Sequence, residues 1–141
     1  MATRSWARTA LAAAAAAFVV LILVQVLLAG LGVFSDPASF VTHRQFGYVI
    51  GWFTLVIVVL AIAGRLGKRV IGLSCVALVQ MALQSVFVLV RADLPAVAAL
   101  HPVNGVLLLL VVTEIAREAW RSRSVNLDVP APTGRERELV A

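Results

Sequence analysis

The chain has 141 residues, of which 62% are hydrophobic, with a mean hydropathy of +1.00 and a net charge of +5. Apolar content so far above the near-half typical of globular domains excludes an ordinary soluble fold, and the length accommodates one domain. The positive charge sits in short segments between apolar stretches, so it reads as membrane topology and anionic-lipid contact, not as the folded basic face that nucleic acid would require.

Lys, Arg, Asp and Glu are absent from residues 9–35, 45–64, 70–90 and 94–113, windows of 27, 20, 21 and 20 residues. About 20 apolar residues carry a helix across a bilayer core. Only helices and closed barrels satisfy their backbone groups within lipid. Runs such as Leu107-Leu-Leu-Leu-Val-Val112 lack the alternation of barrel strands. The expected architecture is all-α: a four-transmembrane-helix antiparallel up-down bundle over 1–123, with helices at about 9–34, 44–64, 70–91 and 95–121. The tail, 124–141, carries Pro, Gly and mixed charge and is expected to be disordered and cytoplasmic.

Arg4 and Arg8 precede the first helix, whose apolar run exceeds the roughly 7–15 residues of a signal h-region, so it is read as retained. Its later half offers Gln25, Ala29 and Gly32 on one face. Asp36-Pro37 then combines an N-cap residue with a proline suited to a first helical turn. The second helix opens on His43-Arg44 and continues through Gly47 and Gly51. After the basic loop Arg65, Lys68, Arg69, the third helix carries a lone Cys75, which defines no disulfide. Gln80, Gln84, Phe87 and Arg91 share one of its faces. Asp93-Leu-Pro95 repeats the Asp–Pro signal, leaving Pro95 to Leu100 as an interfacial turn. Pro102 starts the fourth helix proper, with His101, Asn104, Gly105 and Leu108 on a stripe. The halves thus read as a pseudo-repeat of two hairpins.

Of the 12 Lys and Arg residues, all but Arg44 and Arg91 fall on one side of these spans. The positive-inside rule therefore places both termini in the cytoplasm, with Trp6 and Trp120 at the inner headgroup layer.

His43 and His101 are the only histidines, each followed four residues later by a glycine (Gly47, Gly105) on the same helical face. In an up-down bundle the second and fourth helices stand diagonally opposite. Helix axes about 8–10 Å apart leave room along that diagonal for two imidazoles and a metal. The pair is therefore a candidate for the two axial ligands of one b-type haem. The glycines would clear space for the flat ring. Arg44 and Arg91 would pair with propionates, and Gln84 or Asn104 would hold a ligand imidazole in its tautomer. Zinc would need a third or fourth ligand. In the competing reading the histidines, glutamines and Asn104 form interhelical hydrogen bonds and Gly47-x-x-x-Gly51 serves close packing. The corresponding functions are electron transfer, haem handling or sensing, against a non-catalytic structural or accessory subunit. A small transporter or channel subunit is a third reading. No enzyme motif is present, which leans against catalysis. The expected partners are the bilayer and a respiratory or other membrane protein, with the oligomeric state open.

Leu28-Ala-Gly-Leu-Gly-Val-Phe34, His43 with Gly47, and Ala99-Leu-His-Pro-Val-Asn-Gly105 resemble a family of small, uncharacterised four-helix bacterial membrane proteins, a domain of unknown function. The likeness runs from about Gln25 to Glu114 and implies a four-helix membrane fold. A weaker resemblance links the chain to one half of haem A synthase, which implies haem-binding histidines on the second and fourth helices near the outer face. His43-Arg44 and His101 match by helix order, whereas Phe40 stands where that family would carry an acidic residue. Haem binding, not synthase activity, is what this likeness carries over.

Overall fold

The computed structural model describes residues 2–124, so all of the tail expected to be disordered except Ser124, the last helical residue, lies outside the described residues. Its elements are α1 (Ala2–Phe34), α2 (Ser39–Ala63), α3 (Lys68–Leu89), a 3-10 turn (Val90–Ala92), the single-turn α4 (Pro95–Ala98) and α5 (Leu100–Ser124). Four segments are long and apolar enough to cross a membrane: Ser5–Phe34, Ser39–Ala63, Lys68–Ala92 and Pro95–Arg123. The fold is all-α, with no strand among the described residues.

The helices outrun the charge-free windows. α1 begins at Ala2, not at residue 9, and α2 at Ser39, not at 44. A helix keeps its own hydrogen bonds as it leaves the apolar layer, so charged residues are tolerated in its end turns, where long side chains reach water. His43 and Arg44 consequently lie inside the first turns of α2 instead of at its start, where the sequence predicts them. Pro102 is the third residue of α5, within the first turn, where its missing N–H breaks no helical bond.

α1 packs against α2 and α5, and α3 also packs against α2 and α5, whereas α1 and α3, like α2 and α5, make no backbone approach to each other. Each long helix turns a stripe inward at intervals of three and four residues. Leu11, Ala15, Phe18 and Ile22 face inward from α1; Ile50, Thr54, Ile57 and Ala61 from α2; Leu108, Val112, Ile115 and Ala119 from α5. The Phe18 and Phe53 rings stack with centroids 5.9 Å apart. Large apolar side chains also cover the outside, among them Val26, Val49, Trp52 and Leu110. Such a surface suits lipid, in which association depends on packing and interhelical hydrogen bonds instead of on expulsion of water. The buried Thr54 and Ser74 hydroxyls donate within their own helices, to Gly51 O at 2.7 Å and Val70 O at 2.8 Å.

The connections have distinct local chemistry. Asp36 does not cap α2 directly: its carboxylate accepts from Ala38 N–H at 2.9 Å, an Asx turn ahead of the helix. For Asp93 no capping bond forms among the described residues, and the position before α4 is Leu94. α2 ends in a Schellman motif, with Leu66 N–H donating to Ala61 O (3.1 Å) and Arg65 N–H to Ile62 O (3.0 Å). The left-handed position of this motif, usually glycine, is Arg65 at φ 47. That conformation disfavours a side-chain-bearing residue by roughly 1–2 kcal/mol.

Candidate functional site: a paired-imidazole layer

Toward the end of the bundle that carries Asp36 and Asp93, the inward stripes change from aliphatic to polar. Gln25 on α1, His43 on α2, Gln80 and Gln84 on α3, and His101 and Asn104 on α5 occupy this layer, partly or fully buried. The two imidazoles come from helices whose backbones do not approach each other, yet their ring centroids lie 6.1 Å apart with planes inclined at 73°.

Each ring is held by a backbone carbonyl of the preceding helix. His43 Nδ1 donates to Gln25 O at 3.0 Å, across 18 residues, and His101 Nδ1 donates to Gln84 O at 3.1 Å, across 17. A carbonyl oxygen only accepts, so both bonds require the proton on Nδ1 and leave Nε2 with its lone pair. The same glutamines sit against the glycines. A Cβ on Gly47 would lie 2.6 Å from Gln25 Nε2, and one on Gly105 would lie 3.0 Å from a terminal amide atom of Gln84. Each hairpin therefore builds one Gln–His–Gly unit, and the two units face each other.

The amides complete the layer unequally. With its oxygen accepting from Gly105 N–H at 3.1 Å, the Gln84 amide places its nitrogen 2.9 Å from His101 O and 3.1 Å from His101 Nδ1. The reverse assignment opposes like groups and is rejected on that ground. Of its neighbours, His101 O is the acceptor for that nitrogen, because an unprotonated Nδ1 would set its lone pair against the Gln84 carbonyl. Asn104 Nδ2 donates to Gln80 O at 2.8 Å. Gln25 Oε1 and Gln80 Oε1 are buried without a hydrogen-bond partner among the described residues.

The residues singled out from sequence thus have defined places. His43 and His101 are brought together. Gln84 orients His101, but through its carbonyl, while Asn104 bonds Gln80 and no imidazole. Gly47 and Gly105 make room for glutamine amides. Arg44 is exposed, and Arg91 turns back to donate to Val88 O at 3.0 Å. The sequence places Gln25 on the polar stripe of the first helix but does not mark it as a partner of His43. Its position 18 residues before His43, close to the 17 that separate Gln84 from His101, is the signal that would have found it.

No cluster of three or more His, Cys, Asp or Glu side chains occurs among the described residues, so the imidazole pair has no third ligand of the kind zinc requires. Two surface hollows lie elsewhere. One of about 260 Å³ runs between α2 and α3 beside Trp52 and Met81, and one of about 370 Å³ lies at the opposite end among Arg8, Arg65 and Arg69.

Residues 25–92 match a family of unknown function, DUF6220. This agrees with the expected tie to an uncharacterised four-helix family, but over a shorter stretch than the expected Gln25 to Glu114. The match takes in Gln25, His43, Gly47 and Gln84 and ends before His101. No curated protein and no solved structure matches the chain, so the likeness to haem A synthase rests only on helix order and histidine placement.

Proposed function

We propose that the chain is a four-pass protein of the bacterial plasma membrane, an antiparallel up-down bundle with both termini cytoplasmic, whose His43 and His101 ligate the iron of one b-type haem. The observation that carries this reading is the paired geometry. Two metal–nitrogen bonds of roughly 2 Å each, plus two ring radii of about 1.1 Å for five-membered rings of ordinary bond length, span about 6 Å. The observed centroid separation is 6.1 Å. Both Nδ1 atoms are engaged as donors, which leaves Nε2 as the ligating nitrogen on each ring.

The antiparallel arrangement is supported by contacts between helix ends: Arg8 near the start of α1 donates to Gly64 O beyond the end of α2 at 3.2 Å. Arg69 at the start of α3 pairs with Glu114 in the second half of α5 at 2.8 Å. The excess of basic residues at that end supports its cytoplasmic placement.

Bound haem would supply a one-electron carrier. The chain's own part is to fix the rings: the Gln25 and Gln84 carbonyls hold the Nδ1 protons and set ring orientation. A haem held by both imidazoles would suit electron transfer or haem handling with a membrane-protein partner more than catalysis. Against this stands the structural reading, favoured by the glutamine amides that already fill the glycine clearances. In that reading the layer is only an interhelical hydrogen-bond network.

Detergent-purified protein titrated with haemin separates the two. Ligation predicts a saturable Soret shift at one equivalent, weakened in His43→Ala and in His101→Ala while far-UV helicity is unchanged. Uptake by neither wild type nor variants would leave the structural reading.

A further inference from the structure

The larger of the two hollows, about 370 Å³, lies at the end of the bundle remote from the histidines, and three of its lining side chains are arginines: Arg8, Arg65 and Arg69. Glu118 is the acidic residue on its wall. It is already engaged, 3.6 Å from Arg69 and 3.9 Å from Arg121. Arg69 is further neutralised by Glu114. Arg8 gives its Nε to Gly64 O, and among the described residues neither Arg8 nor Arg65 has an acidic partner. Two guanidinium groups without an acidic partner among the described residues therefore share one concavity.

The sequence maintains that arrangement against a local preference. The left-handed position after α2 would accept glycine freely, and glycines stand close by at 64 and 67, yet residue 65 is arginine. Gly64 itself is needed by packing, since a Cβ there would meet Leu66 Cδ1 at 2.8 Å and Leu60 O at 3.1 Å. Trp6 and Trp120 are exposed at the same end, and the Arg123 guanidinium lies 4.5 Å from the Trp120 ring centroid. Exposed tryptophans are typical of the headgroup level, and guanidinium groups match phosphate oxygens in geometry and charge.

We infer that this hollow binds a phosphate group, in the membrane the phosphodiester of an acidic phospholipid headgroup, through Arg8 and Arg65. With water occupying about 30 Å³ per molecule, the volume equals about a dozen waters, enough for a phosphoglycerol headgroup but not for a whole lipid. The site is independent of the imidazole pair.

Native mass spectrometry of the full chain in detergent tests it, with phosphatidylglycerol, phosphatidylcholine and inorganic phosphate as probes. Phosphatidylglycerol is expected to form a one-to-one adduct in preference to phosphatidylcholine, weakened about fivefold in Arg65→Gly and in Arg8→Gln. Arg65→Gly relieves the left-handed strain and so keeps the fold. Displacement by millimolar inorganic phosphate would support the phosphate site while assigning it to a free anion. Insensitivity to that salt supports the lipid source. Equal binding of both lipids, or unchanged phosphatidylglycerol binding in both variants, overturns the inference.

Discussion

Replacing Gly47 with alanine tests whether the glutamine and glycine of one hairpin are physically coupled. The added Cβ would sit 2.6 Å from Gln25 Nε2, whereas ordinary contact begins near 3.4 Å, so the amide must retreat by about 0.8 Å. Gln25 Oε1 has no hydrogen-bond partner among the described residues, so no bond is lost there, but the amide is partly buried and must displace its neighbours. Overpacking of this kind costs about 1–3 kcal/mol. Against it stands the gain of roughly 0.8–1 kcal/mol for alanine over glycine in a helix interior. Gly47→Ala alone is therefore expected to be neutral to destabilising by about 2 kcal/mol. In a Gln25→Ala background the clash is gone, and the same change is expected to stabilise by up to about 1 kcal/mol. The double-mutant cycle should yield a coupling energy of about 1–3 kcal/mol. Unfolding in mixed dodecyl maltoside and SDS micelles, followed by far-UV circular dichroism, measures all four corners. A Gly47→Ala effect identical in both backgrounds would refute the contact and with it the assigned Gln–His–Gly unit.

Other substitutions probe the rest of the bundle by the same unfolding assay. Arg65→Gly should raise stability by about 1 kcal/mol through relief of the left-handed conformation, and a loss would show that residue 65 does not adopt it. Gly64→Ala should destabilise by about 1–3 kcal/mol because Leu60 O is backbone and cannot move aside, while Gly72→Ala, with nothing within 4 Å, should be neutral or stabilising. Equal effects at the two positions would contradict the packing around Gly64. Glu114→Gln removes the 2.8 Å pair with a largely exposed Arg69 and should cost less than about 1 kcal/mol. The loss should shrink further in high salt, and a salt-independent loss would contradict a surface ion pair.

Much of the fold is legible in sequence because lipid imposes one strong rule: charge stays out of the apolar layer. The four charge-free windows each fall within one membrane-compatible segment or overlap it almost entirely. The same rule misjudges helix starts, since helices continue beyond the layer, and so His43 and Arg44 fall one turn deeper into α2 than expected. The meeting of the two imidazoles was also legible, because each histidine precedes a glycine by four residues, one near the start of the second apolar segment and one near the start of the fourth. What orients them was not. A backbone carbonyl leaves no residue-type signature, so the role of Gln25 shows only as a repeated spacing. Gly47 and Gly105 illustrate the same limit: sequence reveals that space is left on a helical face but not what occupies it. In this structure glutamine amides do. Asp36 shows it again, as Asp-Pro marks a turn and a helix start equally well, and coordinates are needed to see the carboxylate on Ala38 N–H.

Electron paramagnetic resonance of the haemin-loaded ferric protein tests the shared-iron claim most directly. Two axial imidazoles predict a low-spin, six-coordinate signal in the wild type that converts to high spin in both His43→Ala and His101→Ala. A low-spin signal that survives loss of either histidine, or a wild type that is high-spin from the outset, would contradict it.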